Sequence, residues 1–226
     1  MATYTTLKAQ VTGIVMRPLH SDAATALTLM DYVINAPIRD LQRRHSFGCM
    51  ESVLILPTVH GTEYVPLGDT YKGMLEGKDE KGCVYWLDGT SWVKIPMLYV
   101  GEELSLPRLR ELYPDPTIEG EPAYCCVFAR QLYLAPTPDA IYSLQVPCYV
   151  KLADLSSAAP TNWFSEQLDD VLLWEMVALA RLVLDEPSAA SSWSGVSEAT
   201  LERAMAEDRR ERATRVGPRS ARLRQA

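Results

Sequence analysis

The spacing of apolar residues changes character along this chain. Across 21–45, Leu27, Met30, Val33, Ile34, Ile38 and Leu41 recur at three- and four-residue steps, the period of an amphipathic helix. Ser21 or Asp22 can cap its start. Pro37 sits inside the pattern and predicts a kink or break near Ala36, because its ring removes an amide donor and restricts the preceding residue. Residues 5–16 carry a weaker helical pattern.

In the middle of the chain the period shortens to two. "ESVLILPTVHGTEYVPLG" (51–68) reads as two short strands joined at His60-Gly61, and "GCVYWLDGTSWVKIPMLYVG" (82–101) as a hairpin turning at Asp88-Gly89. Residues 102–113 hold one or two helical turns, followed by the loop "PDPTIEGEP". Strands are expected at Tyr124–Phe128 and Gln131–Ala135, flanking Ala129-Arg130, and "PTPD" separates the second from a third run. In that run Tyr142, Leu144, Val146, Cys148 and Val150 share one face. Pro147, on the other face, lacks a ladder donor and predicts an edge strand or a bulge.

The last third returns to the helical period. Thr161 or Asn162 can open a helix running to about Asp185, which Glu186-Pro187 ends. A second helix is predicted over about 196–212, with Leu201 and Met205 inside and Glu198, Glu202, Arg203 and Glu207 outside. Apolar residues almost encircle 168–184, so that helix is expected to be buried on several sides, by the sheet, by the second helix or by another subunit. Trp163, Leu172, Trp174, Met176, Leu179 and Trp193 are the candidate packing residues, within the bundle or between subunits.

Composition adds a charge asymmetry. The hydrophobic fraction of 47% and charged fraction of 23% are those of a soluble globular protein, and the net charge of −7 argues against nucleic acid as a partner for the chain as a whole. Residues 209–226 carry seven arginines (Arg209, Arg210, Arg212, Arg215, Arg219, Arg222 and Arg224) against the single acid Glu211, a net +6 that leaves 1–208 at −13. Gly217-Pro218 and scattered alanines favour an extended arm, with a reach of about 60 Å. Such an arm could touch phosphates, or order on an acidic partner protein. It lacks the aromatics that stack bases.

Candidate chemistry changes the picture little. Five cysteines, two of them adjacent and none at CxxC spacing, read as reduced thiols rather than a disulfide framework or a zinc site. Cys125 reads as a buried strand thiol. His20, His45 and His60 have no ligand spacing, and no GxSxG elbow, GxxxxGK[ST] loop or GxGxxG is present. Asp169-Asp170 and Glu207-Asp208 read as solvated faces, the first pair also favouring a helix dipole. No catalytic residue, cofactor or metal is expected. The first residues do not read as a signal peptide, and "VLLWEMVALARLVL" (171–184) is too short to span a bilayer.

The order of these segments does point somewhere. "LMDYVINAPIRDLQRRHSF", a β-rich middle, "LYLAPTPDAIYSLQVPCYVKLADLSSAAPTNWF", "DDVLLWEMVALARLVLDEPSAASSW" and a helix ending in "AEDRRERA" together resemble the head-to-tail adaptor (connector) proteins of short-tailed bacteriophages. The resemblance covers roughly 22–213 and rests on order and spacing: a P-x-P-D turn between strands, a Tyr-containing strand, a "TNW" helix start, and a Trp opening the next helix. It implies an α+β fold. A helical, portal-docking bundle would form from 1–48 plus 161–213, a β-rich tail-facing domain from 49–160, and an extended arm from 214–226. It implies a homo-oligomeric ring, typically twelve-fold, under the portal protein at the head–tail junction of a virion assembled in the host cytoplasm. A downstream tail or nozzle protein would be the next partner, and DNA would pass without sequence-specific binding. The arm from about Arg209 would reach into the portal. A stopper or tail-completion protein of other symmetry, a DNA-binding accessory protein using the arginines, and a hydrolase with residues distant in sequence are the competing expectations.

Overall fold

The computed structural model describes residues 2–16, 19–75, 83–88, 91–100, 103–104 and 106–216. Two helices, α1 (Tyr4–Val15) and α2 (Ala23–Arg44), come first. Strands β1 (Glu51–Pro57), β2 (Tyr64–Pro66), β3 (Tyr71–Met74), β4 (Cys83–Asp88), β5 (Ser91–Pro96), β6 (Tyr99–Val100) and β7 (Glu103–Leu104) precede helix α3 (Leu106–Leu112). Then come β8 (Glu119–Gly120), β9 (Tyr124–Phe128), β10 (Gln131–Ala135), β11 (Thr137–Pro138) and β12 (Ser143–Val150), followed by helices α4 (Trp163–Gln167), α5 (Asp169–Val183) and α6 (Pro187–Val216). The fold is α+β, with helices at both ends and antiparallel sheet between. The chain divides into two compact units: 1–49 with 152–226, which is helical, and 50–151, which is β-rich.

In the helical unit α5 is the hub, packing on α1, α2, α4 and α6. Its apolar circumference explains this, since each face finds a neighbour. Leu172 and Met176 are fully buried and Trp163, Trp174 and Leu179 half-buried, while the side chain of Trp193 lies outside the description. The expected single helix from 162 is broken at Leu168, whose backbone (φ −127°, ψ 33°) ends α4 and starts α5. Asn162 caps α4 through a reciprocal capping box with Ser165. Pro187 does not merely end α5: it occupies the first position of α6, where its missing N–H costs nothing.

Pro37 does not interrupt α2, contrary to the expected break near Ala36. The helix forgoes the bond to the Val33 carbonyl, and the fully buried Val33, Ile34, Ile38 and Leu41 around it hold the segment by packing. A second device secures α2. Asn35 donates to the Leu155 carbonyl (3.1 Å) and accepts from the Leu155 N–H (2.8 Å). Gln42 likewise donates to the Leu152 carbonyl (3.3 Å) and accepts from its N–H (2.7 Å). Arg39, between them on the same face, forks onto Asp154.

In the β unit the main sheet runs β1-β12-β4-β5, with β3 also pairing β12, and a second sheet runs β2-β10-β9. Side chains of both enclose one core, including Val84, Trp86, Ile95, Leu132, Leu134, Leu144, Val146 and Cys148. Two expected features differ. The runs flanking His60-Gly61 do not form a hairpin: β1 pairs β12 and β2 pairs β10. Nor is β12 an edge strand; it is central, and its bulge falls at Tyr149/Val150. Pro147 is tolerated there for a local reason. Its carbonyl accepts from Leu75 N–H (3.2 Å), so its nitrogen faces the same side, between the end of the β3 ladder at Cys148 and the start of the β4 ladder at Gln145. No donor is needed in that gap. The hairpins β4–β5 and β9–β10 form as read from sequence.

Candidate functional site

The longest charged element is the C-terminal half of α6, and its sequence explains why it is helical. "EATLERAMAEDRRERA" is rich in strong helix formers, and Asp208 and Arg212 pair at i,i+4 (2.6 Å). Arg209, Arg210 and Arg212 therefore sit on the helix predicted over about 196–212, and that helix continues through Arg215 to Val216, past position 214 where an extended arm was expected. Arginines toward the C-terminal end also suit the helix dipole. Arg219, Arg222 and Arg224 lie outside the described residues.

This helix is fastened to the segment after α2. Asp208 accepts from the Gly48 N–H (3.0 Å), and Arg212 donates to the Ser46 carbonyl. Only 13% of the Asp208 side chain is exposed, so the solvated-face reading of Glu207-Asp208 fails for Asp208. Gly48 leaves room for this: a Cβ there would stand 3.1 Å from Asp208 Oδ1 and 3.3 Å from Arg212 Nε. Behind the clasp Phe47 is buried against Trp163 (5.4 Å) and Phe164 (5.3 Å, edge-on). Two open clefts of about 220 and 330 Å³ flank Asp208 and Arg212, one lined also by Trp163 and the other by Arg44 and Met205.

The clasp sorts the arginines. Arg212 is committed to holding its own fold. Arg209 and Arg210 are exposed, Arg209 donating to the Met205 carbonyl (3.2 Å). From 207 to 212 three acids balance three arginines, so the excess of four positive charges falls on Arg215, Arg219, Arg222 and Arg224.

No family model and no curated protein matches this sequence. The site must therefore be judged on its own chemistry. Burial pushes the Cys125 thiol well up, and that of Cys126 to about 11, the opposite of what activates a nucleophile. The histidines are dispersed: His20 accepts from Asp22 N–H (3.0 Å), His45 ends α2, and His60 sits 3.2 Å from Glu119. Asp169 and Asp170 occupy the first turn of α5, where they cap backbone amides. Among the described residues no group of three His, Cys, Asp or Glu side chains could hold a metal ion, and no helix is long and apolar enough to cross a membrane. What this surface offers is a charged helix end held by the clasp.

The clasp residues were hidden in the sequence because each looks like an ordinary helix-surface charge. Asp208 and Arg212 at i,i+4 gave the one available signal, while Glu207-Asp208 read as a solvated face and Arg212 as one of the tail's seven arginines.

Proposed function

We propose that this chain is a structural virion protein, a head-to-tail adaptor of a short-tailed bacteriophage. It forms a ring beneath the portal protein, closes the DNA-filled head, and continues the DNA channel toward a downstream tail or nozzle protein. The observation that carries the reading is the joining of both chain ends into one helical unit, with a β-rich unit inserted between them and a positively charged helix end leading out. This supports a division of labour in which helices dock on the portal and the β unit faces the tail. The acidic remainder, −13 over 1–208, would repel DNA sliding through a channel instead of holding it.

The contact with the portal is assigned to Arg209, Arg210, Arg215 and the residues beyond Val216, with Arg212 reserved for the clasp. Truncation after Val216 tests this, since it removes Arg219, Arg222 and Arg224 while sparing Asp208 and Arg212. Loss of portal binding with an unchanged circular dichroism spectrum is expected; full binding by the truncated chain would overturn the assignment. The same arginines favour a second reading, a DNA-binding accessory protein. That protein would bind DNA tightly and with a steep salt dependence that vanishes on truncation. Subunit count distinguishes an adaptor from a stopper or tail-completion ring of other symmetry.

A further inference from the structure

The two clefts beside the clasp differ in charge. Among the described residues lining the smaller one, the charged side chains are Asp208, Glu211 and Arg212, two acids to one base. The larger, about 330 Å³, is lined by Arg44, His45, Ser46, Arg209 and Arg212 together with Asp208. Three guanidinium groups against one carboxylate leave it positive. Residues 1–208 sum to −13, so this positive charge is local and not a property of the surface at large.

Each arginine is held in place by its own chain. Arg212 is fixed by Asp208 (2.6 Å) and the Ser46 carbonyl, and Arg44 by Asp40 one turn earlier on α2. Arg209 is fixed through its Nε, which donates to the Met205 carbonyl (3.2 Å). Such bonds do not exhaust a guanidinium, which carries five N–H donors; the two Nη atoms of Arg209 carry four of them. They do set where the donors stand. A ligand then need not order them, and that ordering is one of the costs of binding. Arg43 and Arg44, in the last turn of α2, offset the negative end of that helix's dipole, which would otherwise oppose an anion. The Arg44 side chain is 43% exposed and Arg209 is exposed, so both reach solvent.

We propose that this cleft binds a phosphate group, with the guanidiniums of Arg44 and Arg209 as its principal ligands. The Ser46 hydroxyl and the His45 ring supply further hydrogen-bonding groups on the same lining. Arginine suits an oxyanion because two N–H groups of one guanidinium meet two of its oxygens. Volume favours a small ligand: pockets for organic ligands run from about 300 to 1,000 Å³, and this cleft is at the lower end. The ligand class is therefore phosphate itself or the head of a small phosphomonoester. A phosphate of the DNA backbone offers the same chemistry, but the acidity of 1–208 repels the polymer at long range. A bound phosphate would bridge the end of α2 to α6, the two segments that the clasp already joins. The inference does not depend on the adaptor reading, and Arg212 keeps its place in the clasp.

Isothermal titration calorimetry of the full chain with inorganic phosphate, at fixed ionic strength in a chloride buffer, tests the site. One saturable site is expected. Arg44→Ala and Arg209→Ala should each weaken it about tenfold, as the loss of one charge-assisted hydrogen bond implies. Both leave Gly48, Asp208 and Arg212 intact, and an unchanged circular dichroism spectrum checks the fold. Arg203→Ala removes an exposed arginine of the same helix from outside the cleft and should bind phosphate as the wild type does. A short DNA duplex titrated into the same proteins then identifies the source of the phosphate. Duplex affinity that falls with the two cleft variants points to the DNA backbone, and duplex affinity that ignores them points to a small anion. Absence of saturable phosphate binding would overturn the site. So would phosphate binding that both cleft variants leave unchanged, or that Arg203→Ala weakens equally. None of these readouts uses the portal, so this site and the adaptor reading fail separately.

Discussion

Asn35 shows how much one buried amide can hold. It sits within a helix yet completes both backbone bonds of Leu155, so Asn35→Ala strands a buried donor and acceptor together. Leaving such groups unmet costs about 1–3 kcal/mol, which chemical denaturation of the variant should register. Asp22 predicts a pH effect. Its carboxylate caps α2 by accepting from the Thr25 N–H (2.7 Å), a bond that lowers its pKa below the ordinary value. A depressed folded pKa means stabilisation that is complete above the unfolded value near 4 and fades as pH falls through the folded one. Asp22→Asn keeps an acceptor but not the titration, so its stability should decline less steeply than that of the wild type below about pH 4. An identical acid limb in both would contradict the cap's role. Neither residue announced its full part in sequence. Asp22 was legible as a cap, whereas Asn35 and Gln42 look like any polar positions on a helix, because their partners lie more than 100 residues away.

Elements were legible where local signals agreed. The β9–β10 hairpin follows from two alternating runs about two residues, although Ala129 (φ 49°) and Arg130 (φ 61°) both take left-handed backbone without glycine or asparagine. Such turns prefer Asn-Gly, so Ala129→Asn with Arg130→Gly should raise stability by about 1 kcal/mol, read as a higher denaturation midpoint. Partner choice between strands was not legible. The β1 run predicts a strand but not that it would skip β2 for β12, since closing the longer loop adds little cost and β12 offers a seven-residue ladder. Pro37 and Pro147 misled in the same way: the rule concerns a missing donor, and tertiary structure decides whether that donor is needed. The helix expected to end near 212 runs to Val216, because Ala213 and Arg215 continue the helix-forming composition before them.

For the molecule as a whole, the account rests on a helical unit with a charged, clasped helix end and on a β unit whose two sheets enclose one core. The proposed function assigns the first to docking and the second to the tail-facing side. Its central claim is that the chain forms a ring seated on a portal. Electron microscopy of the purified protein, alone and mixed with its portal, tests that most directly. The account predicts rings that seat on the portal, appearing or sharpening when it is added. A monomer indifferent to the portal would contradict it.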